Sequence, residues 1–157
     1  MDLQILNLWQ KLFECNVKYI TIGGYAVNYY GYNRSTGDID ILIADTLQNR
    51  KAFRVCLEQL GIGDFEEIET MQFLPGWTDF TLDYGLRLDV LTKMKGIDPS
   101  RFDDLYASAE TILIHGIEVK FIDYNNLIIA KKATGRDKDL NDIAALEKIK
   151  KWEDENK

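Results

Sequence analysis

The run Asp38-Ile39-Asp40-Ile41-Leu42-Ile43 constrains the fold more than any other part of the chain. Side chains two apart on a strand share a face, so Ile39, Ile41 and Ile43 form an apolar stripe while Asp38 and Asp40 project together from the other side. Such a stripe has to be covered, and the flanking segments carry helical periodicity that can do it. Leu3, Leu6, Trp9, Leu12 and Phe13 predict an amphipathic helix over 2–14. Another helix is predicted to run to Leu60 before Gly61, with Asp45 as its expected cap and Gln48 three residues on.

The remaining segments predict a mixture of strands and helices. Val17 to Ile22 is β-branched and aromatic and ends in Gly23-Gly24, which predicts a buried strand and a sharp turn. Tyr25 to Tyr30 reads as a short helix closed by Gly31. Residues 65–92 read as antiparallel strands: Phe80, Leu82 and Tyr84 alternate with polar residues, as do Leu86, Leu88 and Val90, with the turn near Tyr84-Gly85. Asp98-Pro99 is a helix-start pair, a capping oxygen followed by proline. A hairpin is predicted over 111–122, turning near His115-Gly116. Leu127 to Thr134 and Asp139 to about Trp152 are predicted helices, separated at Gly135. The fold class is therefore α/β (α+β): a mixed, mostly antiparallel sheet flanked by helices, with further helices at the C-terminus. A length of 157 residues fits one domain. Its core is expected over about 15–95, with the C-terminal hairpin and helices over about 98–154.

Composition narrows the function. No apolar run approaches the roughly 20 residues of a membrane span, so no membrane partner is expected. The N-terminus lacks the basic stretch and apolar region of a signal peptide, and the expected location is cytoplasmic. Cys15 and Cys56 read as buried, reduced thiols. A formal net charge of −7 repels a phosphate backbone, so non-specific DNA binding is not expected. A bound divalent cation would still reverse the field locally and admit a nucleotide.

The chemistry concentrates in few residues. Two carboxylates as close as Asp38 and Asp40 repel one another unless a cation or donor sits between them. Mg2+, with Mn2+ as the alternative, takes hard oxygen ligands, a few from protein and the rest from water and phosphate. Asp89 is the third candidate. In Leu86-Arg87-Leu88-Asp89-Val90-Leu91 the residues at 86, 88 and 90 face the core, leaving Arg87 and Asp89 on the other side. If that strand lies beside the Asp38–Ile43 strand, three carboxylates converge. Gly23 and Gly24, lacking Cβ atoms, let backbone approach a phosphate closely. Against these stand plainer readings. Asp38 and Asp40 can be a solvated strand end, His115 a surface turn residue, and Tyr25, Tyr29, Tyr30 and Tyr32 ordinary packing. Trp77 and Phe80, near Pro75-Gly76, are candidates for lining an acceptor pocket.

The ordered set of Gly23-Gly24, Asp38-Ile39-Asp40 and Asp89 resembles the nucleotidyltransferase superfamily that includes DNA polymerase beta and the aminoglycoside nucleotidyltransferases. The segments IGGYAVNYYGYNRSTGDIDILI and KKATGRDKDLNDIAAL look like small bacterial nucleotidyltransferases related to the abortive-infection toxin-type enzymes, over roughly residues 17–147. The resemblance implies an enzyme that moves a nucleoside monophosphate from a nucleoside triphosphate such as ATP to an acceptor hydroxyl. Asp38 and Asp40 would bind the metals, and Asp89 would complete the site and act as base. Gly23 and Gly24 would contact the triphosphate. Arg34 and Thr36 are candidates for phosphate or base contacts, and Lys131, Arg136 and Lys138 for neutralising phosphate. The acceptor, a small molecule, protein or RNA end, is left open, as are a homodimer or a toxin–antitoxin partner. The alternative is a non-catalytic nucleotide- or partner-binding module of the same fold, an antitoxin-like subunit. Asp139 and Asp142 are expected as capping and surface partners of the bases.

Overall fold

The structure, a computed structural model, describes residues 3–74, 77–82 and 85–157. Helix α1 (Leu3–Glu14) leads to strand β1 (Tyr19–Ile22), helix α2 (Gly23–Tyr29), strand β2 (Asp38–Ile43) and helix α3 (Leu47–Gln59). A 3-10 turn over Glu66–Glu69 precedes strands β3 (Asp79–Thr81) and β4 (Arg87–Leu91). Helix α4 (Phe102–Ser108), the hairpin β5 (Glu110–Ile114) and β6 (Ile117–Phe121), and helices α5 (Tyr124–Thr134) and α6 (Asp137–Glu155) complete the chain.

The described strands form one six-stranded sheet in the order β3-β4-β2-β1-β6-β5. β2 runs antiparallel to β1 and parallel to β4, and the outer pairs β3–β4 and β5–β6 are antiparallel. β1 and β6 are parallel. The mixed, mostly antiparallel sheet expected from the sequence is the one observed.

Alternation sorts the sheet into two faces. Ile39, Ile41 and Ile43 are fully buried, and Trp9 of α1 donates its indole N–H to the buried Thr21 hydroxyl on the same side at 3.1 Å. Phe53 of α3 meets Phe80 of β3 there, with ring centroids 6.0 Å apart. Phe80 therefore belongs to the core behind the sheet rather than to an acceptor pocket. Trp77 is 84% exposed, while Pro75 and Gly76 lie outside the described residues, as does Tyr84 of the expected turn. The other face carries Asp38, Asp40, Arg87 and Asp89.

Several local expectations shift. Gly23 and Gly24 are the first residues of α2, not a turn ahead of it. Thr46, not Asp45, caps α3 by accepting the N–H of Asn49, because Asp45 is ion-paired to Arg50 at 2.7 Å. Among the described residues of the expected strand region, Asp79–Thr81 and Arg87–Leu91 are strands, and Glu66–Glu69 is a 3-10 turn instead. Cys56 is buried as expected, whereas Cys15 is only partly so, and both are free thiols. Asp98 caps the turn before α4 through Ser100 N–H, as its sequence predicts. The hairpin turns at His115 and Gly116, both with positive φ (50° and 82°), the geometry that suits a two-residue connection. Gly135 ends α5 in the left-handed conformation (φ 61°). Tyr29 stacks on Phe121 and the Tyr30 hydroxyl donates to the Ile122 carbonyl at 2.7 Å, so these tyrosines pack the fold. Among the described residues no helix is long and apolar enough to cross a membrane.

Candidate active site

The parallel pairing of β2 with β4 determines how the acidic residues meet. Asp40 lies directly beside Asp89, and Asp38 directly beside Arg87. The antiparallel β3 adds Asp79 on the other flank of Asp89. Asp38, Asp79 and Asp89 thus surround Arg87, whose guanidinium nitrogens lie 3.3 Å from Asp38 Oδ2, 3.2 Å from Asp79 Oδ2 and 3.6 Å from Asp89 Oδ1. Asp79 was not evident in the sequence. It is one of many surface aspartates until strand register sets it opposite Asp89.

The Asp40–Asp89 pair is the strained part of this cluster. Asp89 Oδ1 is buried without a hydrogen-bond partner, since Arg87 Nε is too far for one. Burial, followed by the hydrogen bond with Asp89 and then the charges of Asp89 and Asp38, pushes the Asp40 carboxyl up to about 7. Among the described residues no three or more His, Cys, Asp or Glu side chains form a ready-made metal cage. The donor set still suits a divalent cation: two adjacent carboxylates, one with an orphaned buried oxygen, are relieved when a positive ion shares them.

Gly23 is required by this geometry. It adopts φ +66°, and a Cβ there would collide with Asp40 Oδ2. Gly23→Ala is therefore expected to cost at least the roughly 1–2 kcal/mol of a left-handed alanine and to displace the Asp40 carboxylate. A thermal unfolding curve superimposable on that of the parent protein would contradict this. Gly24 is equally confined, because a Cβ would meet the Thr36 hydroxyl and lie 3.3 Å from Arg34 Nη1. Thr36 donates its hydroxyl to the Asp38 carbonyl at 3.1 Å, tying the loop to the start of β2.

The basic candidates divide. Arg34 makes a bidentate pair with Asp142 at 2.7 and 2.9 Å. Lys131 is buried between Asp142 (2.9 Å) and Asp139 (3.3 Å). Arg136 pairs with Asp139 at 2.8 Å, and Asp139 also accepts the Arg136 backbone N–H at the start of α6. Asp139 and Asp142 are 0% and 1% exposed, so they are buried hubs and not surface partners, although Asp139 does cap as expected. Burial alone would raise Asp139, but the Arg136 hydrogen bond and the Lys131 charge hold its carboxyl well below the usual range. Lys138 is exposed, and its charge acts on Asp40 in the lowering direction.

A cleft of about 530 Å³ opens between this face and α5. Gly23, Asp40 and Asp89 line it, with Lys131 of α5 and Arg136, the residue that caps α6. The sequence reading missed Lys93 and Lys95, which also line it from the segment after β4.

Solved structures share the fold across nearly the whole chain. The lincosamide antibiotic adenylyltransferase LnuA, in its lincomycin-bound crystal structure, is 16% identical with a TM-score of 0.61, covering 95% of this chain and 98% of its own. A Thermotoga maritima protein of proposed nucleotidyltransferase activity is 16% identical with a TM-score of 0.56, covering 98% and 92%. An antigenic nucleotidyltransferase-like protein from Paracoccidioides brasiliensis is 20% identical with a TM-score of 0.55, covering 90% and 73%. No curated protein sequence matches. The chain belongs to the family described as nucleotidyl transferase of unknown function (DUF2204), whose model matches residues 2–157.

Proposed function

We propose that the protein transfers a nucleoside monophosphate from a nucleoside triphosphate to an acceptor hydroxyl, with Asp38, Asp40 and Asp89 holding Mg2+ or Mn2+. The observation that supports this most is the Asp40–Asp89 pair, half-buried, crowded and with one orphaned oxygen, in a cleft that Lys93, Lys95, Lys131 and Arg136 also line. Asp38, Asp40 and Asp89 would hold a divalent cation, which would neutralise the carboxylates and supply Lewis-acid polarisation of the phosphate. The chain's own groups do the rest. The backbone at Gly23, which lines the cleft, approaches the phosphates, and the missing Cβ atoms of Gly23 and Gly24 leave room there for Asp40 and Thr36. Arg34 and Thr36 hold the loop above that approach. Arg136 and Lys138, near Asp40, add positive charge beside the phosphates. The acceptor oxygen forms a bond to the α-phosphorus, the bond from α-phosphorus to the β-phosphate oxygen breaks, and pyrophosphate leaves. The acceptor's proton passes to Asp89, which lines the same cleft beside Asp40.

The test is label transfer from each α-labelled nucleoside triphosphate to a lysate of the source organism, with Mg2+, with Mn2+ and with chelator. Labelled product and stoichiometric pyrophosphate are expected with either cation and neither with chelator. Transfer undiminished by chelator would remove the metal from the reading. Tight nucleotide binding with no product across small-molecule, protein and RNA fractions would favour the binding module.

A further inference from the structure

We infer that Lys93 and Lys95 hold the polyphosphate of the bound nucleotide, and that Lys131 instead holds the cleft wall together; this rests on the nucleotide reading above. The cleft carries charge of both signs. Asp40 and Asp89 line it from β2 and β4, and Lys93 and Lys95 line it from the segment that continues β4 beyond Asp89. A nucleotide with a cation at its phosphates needs both: carboxylates for the cation and uncommitted ammonium groups for the remaining phosphate charge.

Commitment distinguishes the cleft's lysines. Lys131 is 7% exposed and lies against both Asp139 and Asp142. Turning it towards a ligand would strip a counter-charge from two buried carboxylates. Lys93 and Lys95 are exposed and form no ion pair among the described residues. Their flexible stems let the ammonium groups swing into the cleft without breaking anything.

The segment that carries them is also anchored. Gly96 has φ +87°, and a Cβ on it would lie 2.6 Å from the Ala133 Cβ of α5. Met94 bridges Ile97 across the same turn. The backbone bearing Lys93 and Lys95 is thus held against the helix that forms the opposite wall, while the side chains remain free.

The test uses isothermal calorimetry with inorganic tripolyphosphate in chelator and with ATP plus Mg2+. It compares the parent protein, Lys93→Ala/Lys95→Ala, Lys93→Arg/Lys95→Arg and Asp40→Asn. The alanine pair should weaken tripolyphosphate binding at least tenfold, with an unchanged melting temperature, and the arginine pair should keep it within about threefold. Asp40→Asn should bind tripolyphosphate in chelator at least as well as the parent, while losing the enhancement that Mg2+ gives to ATP. Unaltered tripolyphosphate binding in the alanine pair, alongside Asp40-dependent Mg2+–ATP binding in the parent, would overturn the lysine assignment alone. Absence of Mg2+–ATP binding in the parent would overturn the nucleotide reading and this inference with it.

Discussion

Asp40→Asn is expected to lower nucleotide transfer about a thousandfold while making the cation-free protein more stable. The two effects share one cause. Asp40 ionises against burial and against the charges of Asp89 and Asp38, which is why its carboxyl is pushed up to about 7. An amide keeps the shape and removes the charge, so the fold is relieved of a repulsion and the site loses a cation ligand. A thousandfold loss corresponds to roughly 4 kcal/mol of barrier. The gain in stability should be about 1–3 kcal/mol, or roughly 5 °C in melting temperature for a chain of this size.

The pH dependence carries the same signature. Because the folded-state value lies above the ordinary 3.8, the folded protein holds a proton that the unfolded chain releases. This group therefore stabilises the fold less as pH rises from about 4 to about 7, and its contribution levels off above that. Thermal unfolding in chelator at pH 5 and pH 8 should show the parent losing stability relative to Asp40→Asn at the higher pH. Parallel behaviour of the two proteins, or a less stable Asp40→Asn at pH 8, would mean that the pair is not crowded as described. Mg2+ should erase the difference by stabilising the parent, since a ligand that binds only the native state raises apparent stability.

Asp142→Ala is expected to be the most destabilising single substitution among the charged residues that support the cleft. Asp142 is 1% exposed and joins Arg34 of the loop before β2 to Lys131 of α5, with α6 providing the carboxylate. Removing it leaves Arg34 without its carboxylate and Lys131 with Asp139 alone, and breaking a buried pair in this way typically costs about 3–5 kcal/mol. At about 2–4 °C per kcal/mol the melting temperature should fall by roughly 10 °C. Burial raises Asp142, yet the Arg34 and Lys131 hydrogen bonds hold it below the ordinary value. Its stabilisation is thus complete at neutral pH and is lost as pH falls below the usual carboxylate range. The deficit of Asp142→Ala should shrink in acid, and a deficit that stays constant down to pH 3 would refute the ionic origin. Arg34→Met should reproduce part of the loss, because it frees the same carboxylate from one of its two cations.

Much of this architecture is written in local pattern. The alternation in Asp38–Ile43 and in Arg87–Leu91 determines which side chains face the core, because strand periodicity does not depend on the neighbouring strands. The Asp98-Pro99 start, the His115-Gly116 turn and the Gly135 stop are equally local, each set by the backbone preferences of one or two residues. Pattern misled where a competitor lay close in space. Asp45 has the chemistry of a cap, but Arg50 claims its carboxylate, and Thr46 caps instead. Phe80 is a pocket candidate by its nearness to Pro75-Gly76, but its side of the strand is the one covered by α3.

The three aspartates show the same division. That Asp38 and Asp40 share a face follows from the sequence alone, since the spacing of two residues dictates it. That Asp89 stands beside Asp40, that Arg87 is ringed by Asp38, Asp79 and Asp89, and that Lys131 is spent on Asp139 and Asp142 required the tertiary structure. Those neighbours come from β3, β4, α5 and α6, distant in sequence, and a one-residue slip of β4 against β2 would have turned Asp89 into the core. The chain specifies which groups are available by local periodicity. Strand register and helix docking, paid for by burial of the apolar faces, decide which of them meet.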